Sequence, residues 1–170
     1  MLTAVGLGPG DAELLTLKAV RLLQEADTVF VPGGIAYDLV KPYCENIVTL
    51  DFPMTRDEAE ISRCMEENAE KILPAAKNGS AVFGLIGDPN YYSTFSRLAE
   101  AVRRLDSSVV VETIPGISSI TAVASHAKIP VNGAFLVTDG PAEPATKIVM
   151  KVTRPQEKKA ELEAEGYTDF

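Results

Sequence analysis

The chain has 170 residues, 46% of them apolar, enough to bury the core of one domain or of two small ones. A formal net charge of -8, with no block of like charges and no Lys/Arg stripe, argues against nucleic acid as a partner. No apolar run reaches the ~18 residues of a membrane span, and the N-terminus lacks a basic-then-apolar leader, so the chain reads as cytoplasmic with no membrane partner.

Residues 2–8 read as a buried strand, and Asp11 then stands where an N-cap belongs, ahead of a helical pattern at Leu14, Leu15, Ala19, Leu22 and Leu23. Apolar runs at 28–32, 46–50 and 80–86 read as three more strands. Between the last two, Ile61, Cys64, Met65, Asn68 and Ile72 share one face of a helix over 57–77, and its glutamates lie mostly elsewhere. A further helix pattern covers 91–105, and an apolar strand over 108–114 runs into Pro-Gly-Ile-Ser-Ser and an apolar helix that ends at His126. This alternation predicts an α/β fold with a mainly parallel sheet and flanking crossover helices.

Beyond residue 134, "AFLVTDG" and "TKIVMKV" read as two strands separated by Pro-Ala-Glu-Pro-Ala, and "QEKKAELEAEG" as a polar helix. Pro130-Val131-Asn132-Gly133 marks the boundary between an N-terminal domain, 1–130, and a smaller, partial C-terminal α/β domain, 131–170. Cys44, Cys64 and the lone His126 lack zinc-ligand spacing, so no metal is expected and both cysteines read as core residues.

The turn after the first strand, "GLGPGD", tests for a phosphate loop. Gly6 and Gly8 fit a dinucleotide fingerprint, but Asp11 takes the third glycine position, where it competes with a phosphate for the helix amides and repels it. Pro9 removes one N–H, the second strand ends in Pro32-Gly33-Gly34 without a ribose-binding carboxylate, and no Gly-Lys-Ser/Thr ending is present. Three such turns follow apolar strands, at 6–11, 87–94 and 115–119. In an open parallel sheet, turns at the carboxyl ends of strands converge on one crevice, so the expected site is there and its ligand is not a phosphate.

The stretch "VGLGPGDAELLTLKAVRLLQEADTVF" resembles the N-terminal signature of the tetrapyrrole (corrin/porphyrin) methylases, and the likeness runs from residue 2 to about 131. Within that family, "DFPMTRD", "GDPNYYSTF" and "ETIPGISSITAVAS" look most like the precorrin-2 carbon-20 methyltransferases of cobalamin biosynthesis; the uroporphyrinogen-III and diphthine types are less similar in their middle loops. The resemblance implies a two-domain fold and a homodimer, with S-adenosyl-L-methionine as cofactor and a tetrapyrrole as substrate. It places Gly8, Pro9, Gly87, Asp88, Tyr91, Tyr92, Ser118 and Ser119 at the cofactor, with Met150 reaching it from the second domain.

Asp11 and Tyr91 are candidate bases for the proton lost from the methylated carbon, each also explained as a cap or a packing residue. His126 reads as a helix-terminal histidine facing the dipole in preference to a cobalt ligand. Because the substrate is a polycarboxylate and the chain is acidic, local cations must offset the field, with Lys18, Arg56 and Arg97 as candidates by closeness to the turns. Members of the family generally carry a longer second domain than the residues after Pro130 supply. Two readings follow: an active methyltransferase, or a non-catalytic relative that binds a tetrapyrrole or a partner subunit.

Overall fold

The first apolar run forms a strand, β1 (Leu2–Gly6), buried along its whole length. The computed structural model describes residues 1–133, 135–138, 149 and 152–168, so most of the two strands expected after 134, and Met150, lie outside the described residues. Two compact units divide the chain, Met1–Val123 and Ala124–Phe170.

After β1 the chain does not enter its helix at once. Asp11 Oδ1 accepts from the Glu13 amide (2.9 Å) and caps a short 3₁₀ turn, Ala12–Leu14. Leu15 is extended, and helix α1 (Leu17–Glu25) begins only after Thr16, whose hydroxyl accepts from the Ala19 amide. The helix cap is therefore Thr16, not Asp11. Strand β2 (Thr28–Val31) leads into α2 (Gly34–Val40), a helix that no apolar period in the sequence signalled. Next come β3 (Ile47–Thr49) and α3 (Glu58–Asn78), whose Asp57 carboxylate accepts from the Ala59 and Glu60 amides.

Strand β4 (Ala81–Leu85) precedes α4 (Phe95–Leu105), which starts later than residue 91, where the sequence pattern placed it. Tyr92 takes a left-handed φ of 50°, which a helix cannot contain, and Ser93 Oγ accepts from the Phe95 amide where the helix begins. Strand β5 (Val111–Ile114) is likewise shorter than 108–114, because Asp106 Oδ1 draws both the amide and hydroxyl of Ser108 into a turn. Helix α5 (Ser119–His126) follows. In the second unit, α6 (Pro155–Ala164) carries Pro155 in its first turn and buries no residue, as its polar sequence requires.

All strands are parallel, in the order β3-β2-β4-β1-β5. Alternation along each strand creates two cores. Leu2, Ala4, Phe30 and Phe83 point to one face and pack with Met65, Ala69 and Ile72 of α3 and Leu98 and Val102 of α4. Val5, Leu7, Val29, Val31 and Val82 point to the other, against Ala19 and Leu23 of α1 and Leu39 and Val40 of α2. The connections leaving β1 and β4, which are neighbours, therefore depart to opposite faces and leave a crevice beyond their carboxyl ends. No helix among the described residues is long and apolar enough to cross a membrane.

The far ends of α3 and α4 are tied by Lys77 Nζ and Asp106 Oδ2, 2.6 Å apart. The hydrogen bond from Lys77, together with those from the Ser108 hydroxyl and amide, holds the Asp106 carboxyl well below the usual carboxylate range. Its folded pKa is thus below its unfolded one, so the stabilisation is present above the ordinary carboxylate pKa of about 4 and is lost as pH falls below it. Asp106→Asn is expected to lower the urea midpoint at pH 7 and to flatten its decline between about pH 5 and pH 2. An unchanged acid limb in a urea–pH series contradicts this assignment.

Candidate functional site: a cluster of three glycine turns

In the sheet register Gly6 pairs with Leu85, and Val5 pairs with Ile114, so β4, β1 and β5 end side by side and the turns that follow them are neighbours. Their backbones meet at three glycines. A methyl group on Gly6 would lie 2.5 Å from both the Gly116 nitrogen and the Gly87 oxygen, and one on Gly116 would strike the Gly87 carbonyl and the backbone of Gly6. No side chain fits at either place. The Gly87 amide donates to the Gly8 carbonyl (2.7 Å), an isolated antiparallel bridge between the first and second turns just past the parallel β1–β4 pairing. Gly87 has a φ of 80°, and a Cβ there would meet nothing within 4 Å, so the outer side of this junction is open.

Asp88 locks the second turn to the third. It is 7% exposed; Oδ1 accepts from the Asn90 amide at 2.8 Å and Oδ2 from the Gly116 amide at 3.1 Å. The Asn90 side chain adds a link, donating to Thr113 Oγ1 on β5 (3.3 Å). Ser118 supplies the carbonyl that accepts from Ala122 at the start of α5, and both Ser118 and Ser119 are half-buried.

The structure therefore brings Gly8, Pro9, Gly87, Asp88, Ser118 and Ser119 to one end of the sheet. Tyr91 and Tyr92 stand on the same turn as Asp88, 60% and 45% exposed, with their rings reaching into solvent. Of the two candidate bases, Asp11 is an exposed cap of the 3₁₀ turn and Tyr91 an exposed ring. Met150 lies outside the described residues. His126 is the last residue of α5. Cys64 donates to the Asp51 carbonyl, and burial pushes its thiol pKa up, as befits a packing residue.

The three turns, 6–11, 86–94 and 115–119, contain no Lys or Arg. Of their two carboxylates, Asp11 caps the 3₁₀ turn and Asp88 already holds two backbone amides, and apolar Ile35 comes within 3.8 Å of a Cβ placed on Gly10. Hydroxyls, open glycine backbone and neighbouring apolar surface suit a ligand with an apolar body and few anionic groups, and they suit a phosphate poorly.

Beside this cluster, on the α4 side of β5, a cleft of about 600 Å³ is lined by Asn90, Tyr92, Ser96, Glu100, Arg103 and Thr113. Among the cations nominated from sequence, Arg97 is already engaged, gripping Glu58 through both nitrogens at 2.8 and 3.3 Å, while Lys18 and Arg56 are exposed. Gly116, Asn90 and Arg103 were not singled out. The spacing Ser96, Glu100, Arg103 puts three polar groups on one stripe of α4 directly after Tyr92, and that period was the available signal.

The sequence profile of a family described as tetrapyrrole (corrin/porphyrin) methylases matches residues 1–164. A probable cobalt-precorrin-2 C(20)-methyltransferase of Methanocaldococcus jannaschii is 40% identical over 134 residues, covering 74% of this chain and 56% of the relative. A uroporphyrinogen-III C-methyltransferase of Cyanidium caldarium is 38% identical over 128 residues, covering 74% and 49%. A solved structure of a cobalamin-synthesis-related protein from Corynebacterium diphtheriae superposes with a TM-score of 0.62 at 26% identity, covering 78% of this chain and 60% of that one. The chain spans about half the length of the curated relatives it matches.

Asp88→Asn keeps one acceptor and turns an amide donor toward one of two backbone N–H groups. It is expected to cost about 1–3 kcal/mol in urea unfolding, the penalty of a buried donor left unpaired. Gly116→Ala is expected to cost at least as much, through backbone collision. Wild-type stability in either variant removes Asp88 or Gly116 from the junction described above.

Proposed function

The chain belongs to the tetrapyrrole (corrin/porphyrin) methylases, and from that premise we propose that it carries out S-adenosyl-L-methionine-dependent C-methylation of a tetrapyrrole, precorrin-2 or cobalt-precorrin-2 at carbon 20. The observation that carries the proposal is the cluster of three glycine turns at adjacent strand ends, built without a cationic side chain. The residues present fit the cofactor: a sulfonium cation with a zwitterionic tail and a flat base needs backbone groups, hydroxyls and apolar surface, and has no phosphate to satisfy.

In this reading Gly8, Pro9, Gly87, Tyr91, Tyr92, Ser118 and Ser119 form the holding surface, and Asp88 keeps the second and third turns in register. The chemistry supplied by the bound group is an electrophilic methyl on a good leaving group. The macrocycle carbon would accept that methyl and would then have a proton to lose. The macrocycle is itself the nucleophile, so the protein's contribution is to hold the two reactants in line and to exclude competing water. Asp11 and Tyr91, both exposed on the turns, are the candidates to take that proton.

The choice of precorrin-2 follows the 40% identity to the M. jannaschii relative. A second reading, uroporphyrinogen III as substrate, rests on the 38% identity to the C. caldarium relative.

The test is transfer of an isotopically labelled methyl to precorrin-2, cobalt-precorrin-2 and uroporphyrinogen III, each offered anaerobically to the chain as it stands. Labelled product is expected with a precorrin-2 form, and at least about tenfold less with Pro9→Asp, which puts a charge on the crest of the first turn. Label on uroporphyrinogen III alone selects the second reading. No label on any of the three, together with no S-adenosylhomocysteine binding by calorimetry, leaves the non-catalytic reading.

A further inference from the structure

Helix α4 presents its three arginines to two different surroundings. Arg97 and Arg104, seven residues apart, lie on the side facing α3 and pair with Glu58 (2.8 Å) and Glu66 (3.7 Å). Arg103 is turned the other way, into the cleft of about 600 Å³ between the Asp88–Thr94 turn, α4 and β5, and makes no ion pair among the described residues. What sets Arg103 apart is its place: an arginine in no ion pair among the described residues stands in the wall of a cleft, in a chain of net charge -8.

The rest of the lining narrows the ligand. Thr113 Oγ1 accepts from Asn90, which leaves its hydroxyl proton free to donate, and Ser96 adds a second hydroxyl. Tyr92 offers a half-exposed ring at the mouth. Glu100, one turn before Arg103 on α4, is the other charge in the wall, so an anion is favoured only where it meets the Arg103 guanidinium directly. A fixed fork of donors, two hydroxyls and an aromatic ring suit a carboxylate carried on a large planar body, because guanidinium recognises carboxylate in a bidentate manner and a ring packs on a flat apolar face.

We propose that this cleft receives a carboxylate-bearing edge of the tetrapyrrole, with Arg103 as the anchoring cation that fixes which edge of the macrocycle lies over the glycine turns. This rests on the tetrapyrrole reading above. It makes Arg103 a positioning and specificity residue, with no part in the bond changes.

The probe is uroporphyrin III, a stable fluorescent polycarboxylate porphyrin, titrated at fixed ionic strength into wild type, Arg103→Ala, Arg103→Lys and Arg104→Ala. Arg103→Ala is expected to weaken binding about five- to tenfold, Arg103→Lys less, and Arg104→Ala hardly at all, since Arg104 faces Glu66. S-adenosylhomocysteine affinity, measured on the same proteins, is expected to be the same in all four. Equal weakening by Arg103→Ala and Arg104→Ala means general charge attraction and overturns the proposal, as does an unchanged Arg103→Ala or a wild type that binds no uroporphyrin. Loss of S-adenosylhomocysteine binding in Arg103→Ala overturns it too, by merging the cleft with the cofactor surface. Failure of the wild type to bind S-adenosylhomocysteine while the uroporphyrin differences persist defeats the methyltransferase reading and leaves this one standing.

Discussion

Three strand ends approach so closely that no side chain fits between them, and the functional end of the sheet depends on that contact. Gly6, Gly87 and Gly116 meet backbone to backbone, and Asp88 fastens the junction by accepting amides from both its own turn and the turn after β5. A parallel sheet makes such a junction possible, because it sends the exits of β4, β1 and β5 to one edge. The consequence is a rigid patch of glycine backbone with an open outer side at Gly87. A binding surface of this kind selects by shape and by neutral polar groups, and it is a poor host for phosphate.

The two faces of α4 meet different surroundings. Toward α3, apolar Leu98 and Val102 and the Arg97–Glu58 and Arg104–Glu66 pairs hold the helix in place. Those ion pairs are exposed and individually weak, so the apolar contact sets the position and the charges refine it. Toward β5 the same helix borders open space with Ser96, Glu100 and Arg103 beside Phe95 and Ala99. For the carboxylate-bearing ligand proposed above, a chain of net charge -8 needs a cation placed by geometry, since its long-range field is of the wrong sign.

Much of the fold was legible because three of its strands, β1, β2 and β4, are buried on both faces. β1, β2 and β4 appear as unbroken apolar runs, and the long helix α3 shows its period plainly. Helix α2 was not legible: it is seven residues long and begins at Gly34, where local propensity argues against a helix and packing of Leu39 and Val40 decides. The true start of α4 was hidden for another reason, since the left-handed Tyr92 leaves no trace in hydrophobic spacing. At the site, the meeting of the turns could be read from their glycines and their place after strands. The partner of Asp88 could not, because Gly116 lies 28 residues away and only the strand order joins them. Arg103 was overlooked because its sequence neighbour Arg104 looks equivalent until α3 is in place.

The most direct test of the central claim follows backbone amide resonances of the labelled chain while S-adenosylhomocysteine is added. The account predicts saturable shifts led by Gly8, Gly10, Gly87 and Gly116, the amides of the three turns, with α3 and β3 nearly still. Shifts centred elsewhere on the sheet, with these glycines unmoved at saturation, would contradict it.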